Sequence, residues 1–233
     1  MEYAELREEV WRANVGLAEA GLVTLTWGNA SGCDHERGFV AIKPSGVPYD
    51  ALRPEDILVL ELETARVIDG NLQPSTDAPT HLCLYRAWPS VGGIVHTHSP
   101  KATAFAQAGR WIPCLGTTHA DAFHGEIPVT RPLTREEIDE EYERNTGRVI
   151  VEALNACGLQ PLEMPAVLVQ NHGPFTWGRN PAEALENAIV LEAVAAMALD
   201  TLALNPEVEP ISGGLLNLHF ERKHGEDAYY GQR

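Results

Sequence analysis

Positive charge is scarce in this chain: 17 Lys and Arg stand against 33 Asp and Glu in 233 residues, a formal net charge of −16. Nucleic-acid backbones and anionic membranes are bound through a basic footprint, so neither is expected as a partner. Cysteine is sparse too. Cys33, Cys83, Cys114 and Cys157 contain no C-x-x-C pair, which argues against a zinc ribbon or a thioredoxin-type site and leaves reduced, mostly packing thiols. No run approaches the roughly 18 consecutive apolar residues of a membrane span. The acidic, amphipathic start "MEYAELREEV" does not read as a signal peptide, so a cytoplasmic location is the expectation. A P-loop and a G-x-G-x-x-G are both missing, so a nucleotide is not implied. Repeats, low-complexity tracts and long linkers are also absent. With 44% hydrophobic residues the chain has enough for one substantial core, and residues 1–233 are expected to form a single domain.

Short apolar blocks punctuated by Gly and Pro carry the structural signal. Leu6, Val10, Ala13 and Leu17 make a helical stripe that stops at Gly21. "LVTLTW" reads as a strand running into the turn "GNASG", "GFVAI" as a second strand, and "DILVLEL" with "ARVIDG" as a hairpin. "APTHLCLYRAW" reads as a helix and "VGGIVHTH" as a strand. "SPKATAFAQAG" reads as a helix with a Ser cap and an early Pro. Thr134 followed three residues later by Glu137 is a capping box opening a long helix. "PAVLVQNHG" is a buried strand ending at His172, and Asn180 with Pro181 opens a last, largely apolar helix. Strands and helices mix without a strict βαβ period. The expected class is therefore α/β, a mostly antiparallel central sheet flanked by helices.

His96 and His98 lie two apart at the end of an apolar run, a spacing that puts two strand side chains on one face. Such a pair either ligates a metal or makes ordinary hydrogen bonds. His172, at the end of a distant strand, brings a third imidazole. Three protein ligands with a fourth position open describe a catalytic zinc site. Asp77, directly before a helix, reads as a further ligand, a base beside the metal, or simply a helix N-cap. The turns "WGNASG", "KPSG" and "QPSTD" can gather backbone N–H groups and hydroxyls on an anion, with Lys43 as a local positive charge. Each of them alone could equally be an ordinary loop.

Taken together, "LVTLTWGNASG", "IKPSGV", "STDAPTH", "GGIVHTHS", "GTTHAD", "NHGPFTWG", "NAIVLE" and the C-terminal "RKHG…AYYGQ" resemble, in order and at matching spacing, the sugar-phosphate epimerases of the class II aldolase superfamily. The departures are few: Gln170 and Asn171 precede the third histidine, and Thr76 stands where a serine is expected. The resemblance implies a single-domain α/β/α sandwich, one zinc ion per subunit with other divalent ions possible, and a homotetramer with active sites at subunit interfaces. It makes His96, His98 and His172 the metal ligands and puts Asp77 at the metal. Gly28, Asn29, Lys43, Ser45, Gly46, Ser75 and Thr76 would line the pocket for a phosphorylated ketopentose, and Asp121 and Tyr230 would be the acid and base. The implied reaction is epimerisation by retro-aldol cleavage and re-addition. A class II sugar-phosphate aldolase of the L-fuculose 1-phosphate type, with Glu in place of Asp77, is the alternative. A non-catalytic domain like the adducin head lacks the zinc site, and the intact histidines argue against it.

Overall fold

The computed structural model describes residues 3–225 and 228–230. The first apolar stripe folds as α1 (Ala4–Glu19). The strands and helices that follow are β1 (Asn29–Asp34), β2 (Phe39–Ile42), β3 (Leu58–Glu61), β4 (Val67–Asp69), α2 (Ala78–Ala87), β5 (Gly93–His96), α3 (Pro100–Ala108) and α4 (Thr117–Ala120). The C-terminal half adds α5 (Arg135–Cys157), β6 (Ala166–Leu168), β7 (Pro174–Gly178), α6 (Pro181–Leu204) and α7 (Gly213–His224). The seven strands form one sheet in the order β4-β3-β2-β1-β5-β7-β6, and every paired neighbour is antiparallel.

Alternation along the strands sorts side chains between two helical layers. Ile42, Leu60, Ile94 and Trp177 face α2 and α5, meeting Leu82, Tyr85, Ile150 and Leu154 in the larger core. From the opposite face Ala30 and Val95 meet Ala13 and Leu17 of α1 and Ala184 and Ala188 of α6. The expected α/β/α sandwich with an antiparallel sheet is the fold that forms. By length and composition α6 is the one helix among the described residues apolar enough to cross a membrane. Here one side of it packs on β5, β7, α1 and α3.

The first strand differs from expectation. Residues 22–27, "LVTLTW", form no strand: Leu25 has a φ of 55° and is exposed, and the chain turns through Trp27. The strand is instead "NASGCD", which was expected to begin as a turn. Its small and polar residues conceal it from a hydrophobic pattern, because one face meets polar side chains of α2 and the other needs only Ala30 against the helices. A second difference concerns α3. Ser99 makes no side-chain cap; Glu192 of α6 instead accepts from the N–H groups of Lys101 and Ala102 at 2.8 and 2.9 Å.

His119 and His81 are sealed in the fold. Burial holds the His119 imidazole down at about 4, against the upward pull of its hydrogen bond to the Gly125 carbonyl. His81 is held at about 3 by burial, which outweighs nearby Asp77. Below the ordinary value of 6.5 the unfolded chain therefore binds more protons than the folded one, and stability falls as pH drops. Each histidine is expected to remove about 2 kcal/mol between pH 7 and pH 5. Urea titrations of chelator-treated protein check this: the midpoint should fall with pH, and His119→Gln should flatten that slope by about one proton.

Candidate metal centre and active-site cavity

His96 ends β5, opposite Asn29 of β1 and Phe175 of β7. Its ring stacks on Phe175 with centroids 4.2 Å apart, and its Nδ1 lies 3.0 Å from the Pro174 carbonyl. A carbonyl only accepts, so Nδ1 carries the proton and Nε2 keeps its lone pair. That Nε2 is 3.1 Å from Nε2 of His98, which lies just past the strand. His172 enters from the tight turn between β6 and β7, where Asn171 has a φ of 62°. Gly173 admits this approach, since a Cβ there would stand 2.7 Å from the Thr97 carbonyl oxygen.

The ligand atoms of His96, His98 and His172 all lie within 4.8 Å of one another. Bonds of 2.0–2.1 Å in a tetrahedron give edges of about 3.3 Å, so three imidazoles gathered this closely suit a zinc-sized ion. Burial, reinforced by His96 and His98, pushes His172 down to about 3, and burial with His96 lowers His98. Both rings are thus neutral ligands at neutral pH. Asp77 lies outside that cluster but beside it. It occupies the N-cap position of α2 without capping it; one carboxylate oxygen accepts from Asn29 Nδ2 at 2.7 Å instead. Burial would raise its carboxyl, but His96, His81, the Asn29 amide and His172 together hold it below the ordinary value.

The same cavity has other polar lining. Lys43 is buried, its ammonium 3.3 Å from the Pro44 carbonyl and 4.8 Å from the Tyr49 ring centre. Burial lowers it to about 8, which leaves a cation with donors to spare in an otherwise acidic protein. Gly28, Asn29, Ser45, Gly46, Ser75, Thr76 and Asp77 join Lys43 and the three histidines around one cavity of about 370 Å³. Asn29 ties two of these residues together by donating to Ser75 Oγ at 3.0 Å as well as to Asp77.

Asp121 and Tyr230 do not line that cavity. Asp121 accepts from Arg222 at 2.8 and 3.0 Å and pairs with His219 at 3.0 Å, which fastens α7 to the end of α4. Burial acts to raise its carboxyl, but Arg222 and His219 hold it below the ordinary value. Tyr230 is exposed, its ring 4.7 Å from the Arg222 guanidinium and from the Lys223 ammonium. Arg222 therefore brings the two residues to one place on the surface.

Residues 8–199 match the family model described as Class II Aldolase and Adducin N-terminal domain. The chain belongs to this class II aldolase family. It is 52% identical over 229 residues to the L-ribulose-5-phosphate 4-epimerase UlaF of Salmonella paratyphi B, covering 98% of this chain and 99% of that relative. Among solved structures, an L-fuculose 1-phosphate aldolase superposes with a TM-score of 0.79 at 24% identity, covering 94% of this chain and 96% of the other. YgbL from Escherichia coli, titled a putative aldolase/epimerase/decarboxylase, superposes with a TM-score of 0.72 at 23% identity, covering 94% and 99%. The two structural likenesses speak for the fold.

In this class II aldolase family member the cavity also contains residues that sequence reasoning passed over. Trp27 forms part of the wall, its ring 6.1 Å from His98. Tyr142 and Glu143 arrive from α5, because Glu141 breaks the helix with φ −137° and ψ 66°. Asn145 takes up a carbonyl freed there, donating to Glu137 O at 2.9 Å. The Tyr142 hydroxyl lies 3.4 Å from His172 Nδ1. No local pattern announces a break inside a well-capped helix, so this signal was absent from the sequence.

Gly28 is where this geometry is most exposed to substitution. Its φ is 77°, and a Cβ would stand 2.7 Å from the His96 carbonyl oxygen. Gly28→Ala is expected to cost about 1–3 kcal/mol of stability through backbone strain and to weaken divalent-metal retention by displacing His96. Thermal unfolding with metal analysis of the same preparation checks both. An unaltered melting point would show that the turn relaxes freely.

Proposed function

We propose that the chain interconverts L-ribulose 5-phosphate and D-xylulose 5-phosphate by inverting C4, as a zinc-dependent cytoplasmic homotetramer. The observation that carries this is the 52% identity, over 98% of the chain, to an L-ribulose-5-phosphate 4-epimerase. The cavity supports it by bringing a three-histidine cluster and a buried lysine to one lining.

The hydrogen on C4 is not adjacent to the C2 carbonyl, so no enolate stabilises its removal. Breaking the C3–C4 bond avoids that step. The C4 hydroxyl loses its proton, C4 becomes the aldehyde of glycolaldehyde phosphate, and the bonding electrons pass to the three-carbon fragment. A zinc ion held by His96, His98 and His172, with Asp77 beside it, would supply Lewis-acid stabilisation of the charge that develops there. Lys43, with the hydroxyls of Ser45, Ser75 and Thr76 and the backbone at Gly28 and Gly46, holds the phosphate so that the aldehyde turns over without leaving. Asn29 orients Asp77 and Ser75 together. Re-addition to the other aldehyde face gives the inverted centre.

Inversion needs a proton-transfer group on each side of the aldehyde, and Asp121 and Tyr230 take these roles. Their distance from their own chain's cavity supports a site completed by a neighbouring subunit, to which Arg222 would deliver both. The exposed Ile189 and Met197 on the outer face of α6 support association between copies.

Purified protein with zinc is expected to interconvert the two pentulose phosphates without accumulating dihydroxyacetone. Steady release of dihydroxyacetone would make it an aldolase, and the absence of both activities would overturn the enzymatic reading. For the shared site, His96→Ala and Tyr230→Phe, each nearly inactive alone, should rescue one another when unfolded together and reassembled. Random mixing in a head-to-tail ring leaves roughly a quarter of sites with an intact zinc chain and an intact tyrosine chain. Mixed oligomers verified by mass and showing no gain would mean that Tyr230 serves its own chain.

A further inference from the structure

Behind the cavity wall runs a buried polar seam. Asp77, His81 and Tyr85 recur every four residues on α2, and Asn29 and Ser31 recur every two on β1, so each set shares one face. The two rows meet. Asn29 reaches Asp77 at 2.7 Å, while Ser31 Oγ lies 2.7 Å from His81 Nδ1 and 2.8 Å from the Tyr85 hydroxyl. Ser31, His81 and Tyr85 are each fully buried, and Tyr85 belongs to the larger hydrophobic core. Two atoms of this seam have no protein partner: Nε2 of His81 and Oδ1 of Asn29. Buried polar atoms left this way are costly, and a fold keeps them where they serve something else.

Proton placement shows what they serve. Asp77, a carboxylate, lies one turn before His81 on the same helix face, which favours an N–H rather than a lone pair at the free edge of the ring. The proton then sits on Nε2, Nδ1 accepts from the Ser31 hydroxyl, and Ser31 accepts from the Tyr85 hydroxyl. Each hydroxyl proton is used once in this order. The opposite order would leave a lone pair at the free edge, in a layer whose other unpartnered atom, Asn29 Oδ1, is also an acceptor. His81 stays uncharged throughout, since burial holds it far below neutral pH. The ring also reaches the metal ligands through Phe175, edge-on to it at 6.0 Å, the same phenyl on which His96 stacks.

From this we infer that His81 is a positioning residue for the metal centre: Ser31 and Tyr85 lock its tautomer so that Nε2–H faces the Asp77–Asn29 pair and steadies that carboxylate beside the three histidines. The inference rests on the metal-dependent reading above. Groups that orient the residues around a metal site from behind are worth about 10- to 100-fold in metal affinity.

The test is zinc affinity, measured by chelator competition on folded oligomer, with kcat and KM at saturating zinc as a second readout. His81→Met fills the space without a donor and should weaken zinc binding about 10- to 100-fold, lowering kcat more than it raises KM. His81→Gln places an amide N–H near the Nε2 position and should restore most of both. Ser31→Ala keeps the imidazole but frees its tautomer, and should weaken zinc binding in the same direction; it decides the matter if His81→Met does not fold. Wild-type zinc affinity in the Met and Ala variants would overturn the inference, as would equal losses in the Met and Gln variants. A wild-type protein that binds no zinc would overturn the metal-dependent reading itself, and the positioning role with it.

Discussion

The antiparallel pairing of β1 with β5, which sets Asn29 across from His96, is the constraint on which the rest of the site depends. Cross-strand partners share a face, so this register puts the amide and the imidazole side by side. α2 then lies over the same face with a matching rise: four helical residues advance about 6 Å, and two strand residues about 6.8 Å. Asp77 consequently meets Asn29, and His81 meets Ser31. A slip of one residue in β1 would turn Asn29 and Ser31 toward α1 and bring Ala30 beneath Asp77.

That register also explains an apparent weakness of the fold. β1 contributes almost no apolar side chain, yet it is the middle strand of the sheet, with three strands on either side. The strands next to it and beyond provide the apolar contacts, with Ile42, Leu60, Ile94 and Trp177 packing against α2 and α5. The centre of the sheet is thereby left for hydrogen-bonded polar groups. Such groups hold one arrangement rather than many, because each buried donor or acceptor tolerates few partners.

Electrostatics follow from burial more than from net charge. The chain carries a formal charge of −16, yet the cavity's lining includes the neutral imidazoles of His98 and His172 and a desolvated lysine. Burial keeps protons off His98 and His172 and lowers Lys43. An anionic sugar phosphate and a divalent cation can therefore share a small space inside an acidic protein. Asp121 shows the opposite arrangement, a carboxylate held ionised at the surface by Arg222 and His219.

Local pattern was sufficient for the helices with regular stripes or caps, α1, α5 and α6, because capping and 3.6-residue periodicity act over a few neighbouring residues. For His96, His98, His172, Asp77 and the three turns it showed only that each motif sits at the end of a strand or helix; the family resemblance grouped them. The covering of α3 by Glu192 was not legible, as it depends on a contact 90 residues away. Nor was the identity of β1, whose burial is polar, or the break at Glu141 that carries Tyr142 and Glu143 to the cavity. His81 is one of nine histidines; only the meeting of α2 with β1 gave it Ser31 as a partner. Sequence alone determined which chemical groups the protein has and near which chain reversals they lie. Tertiary packing decided which of them share a desolvated space, because burial and hydrogen-bond geometry depend on residues that are distant in the chain and become neighbours only when the sheet closes.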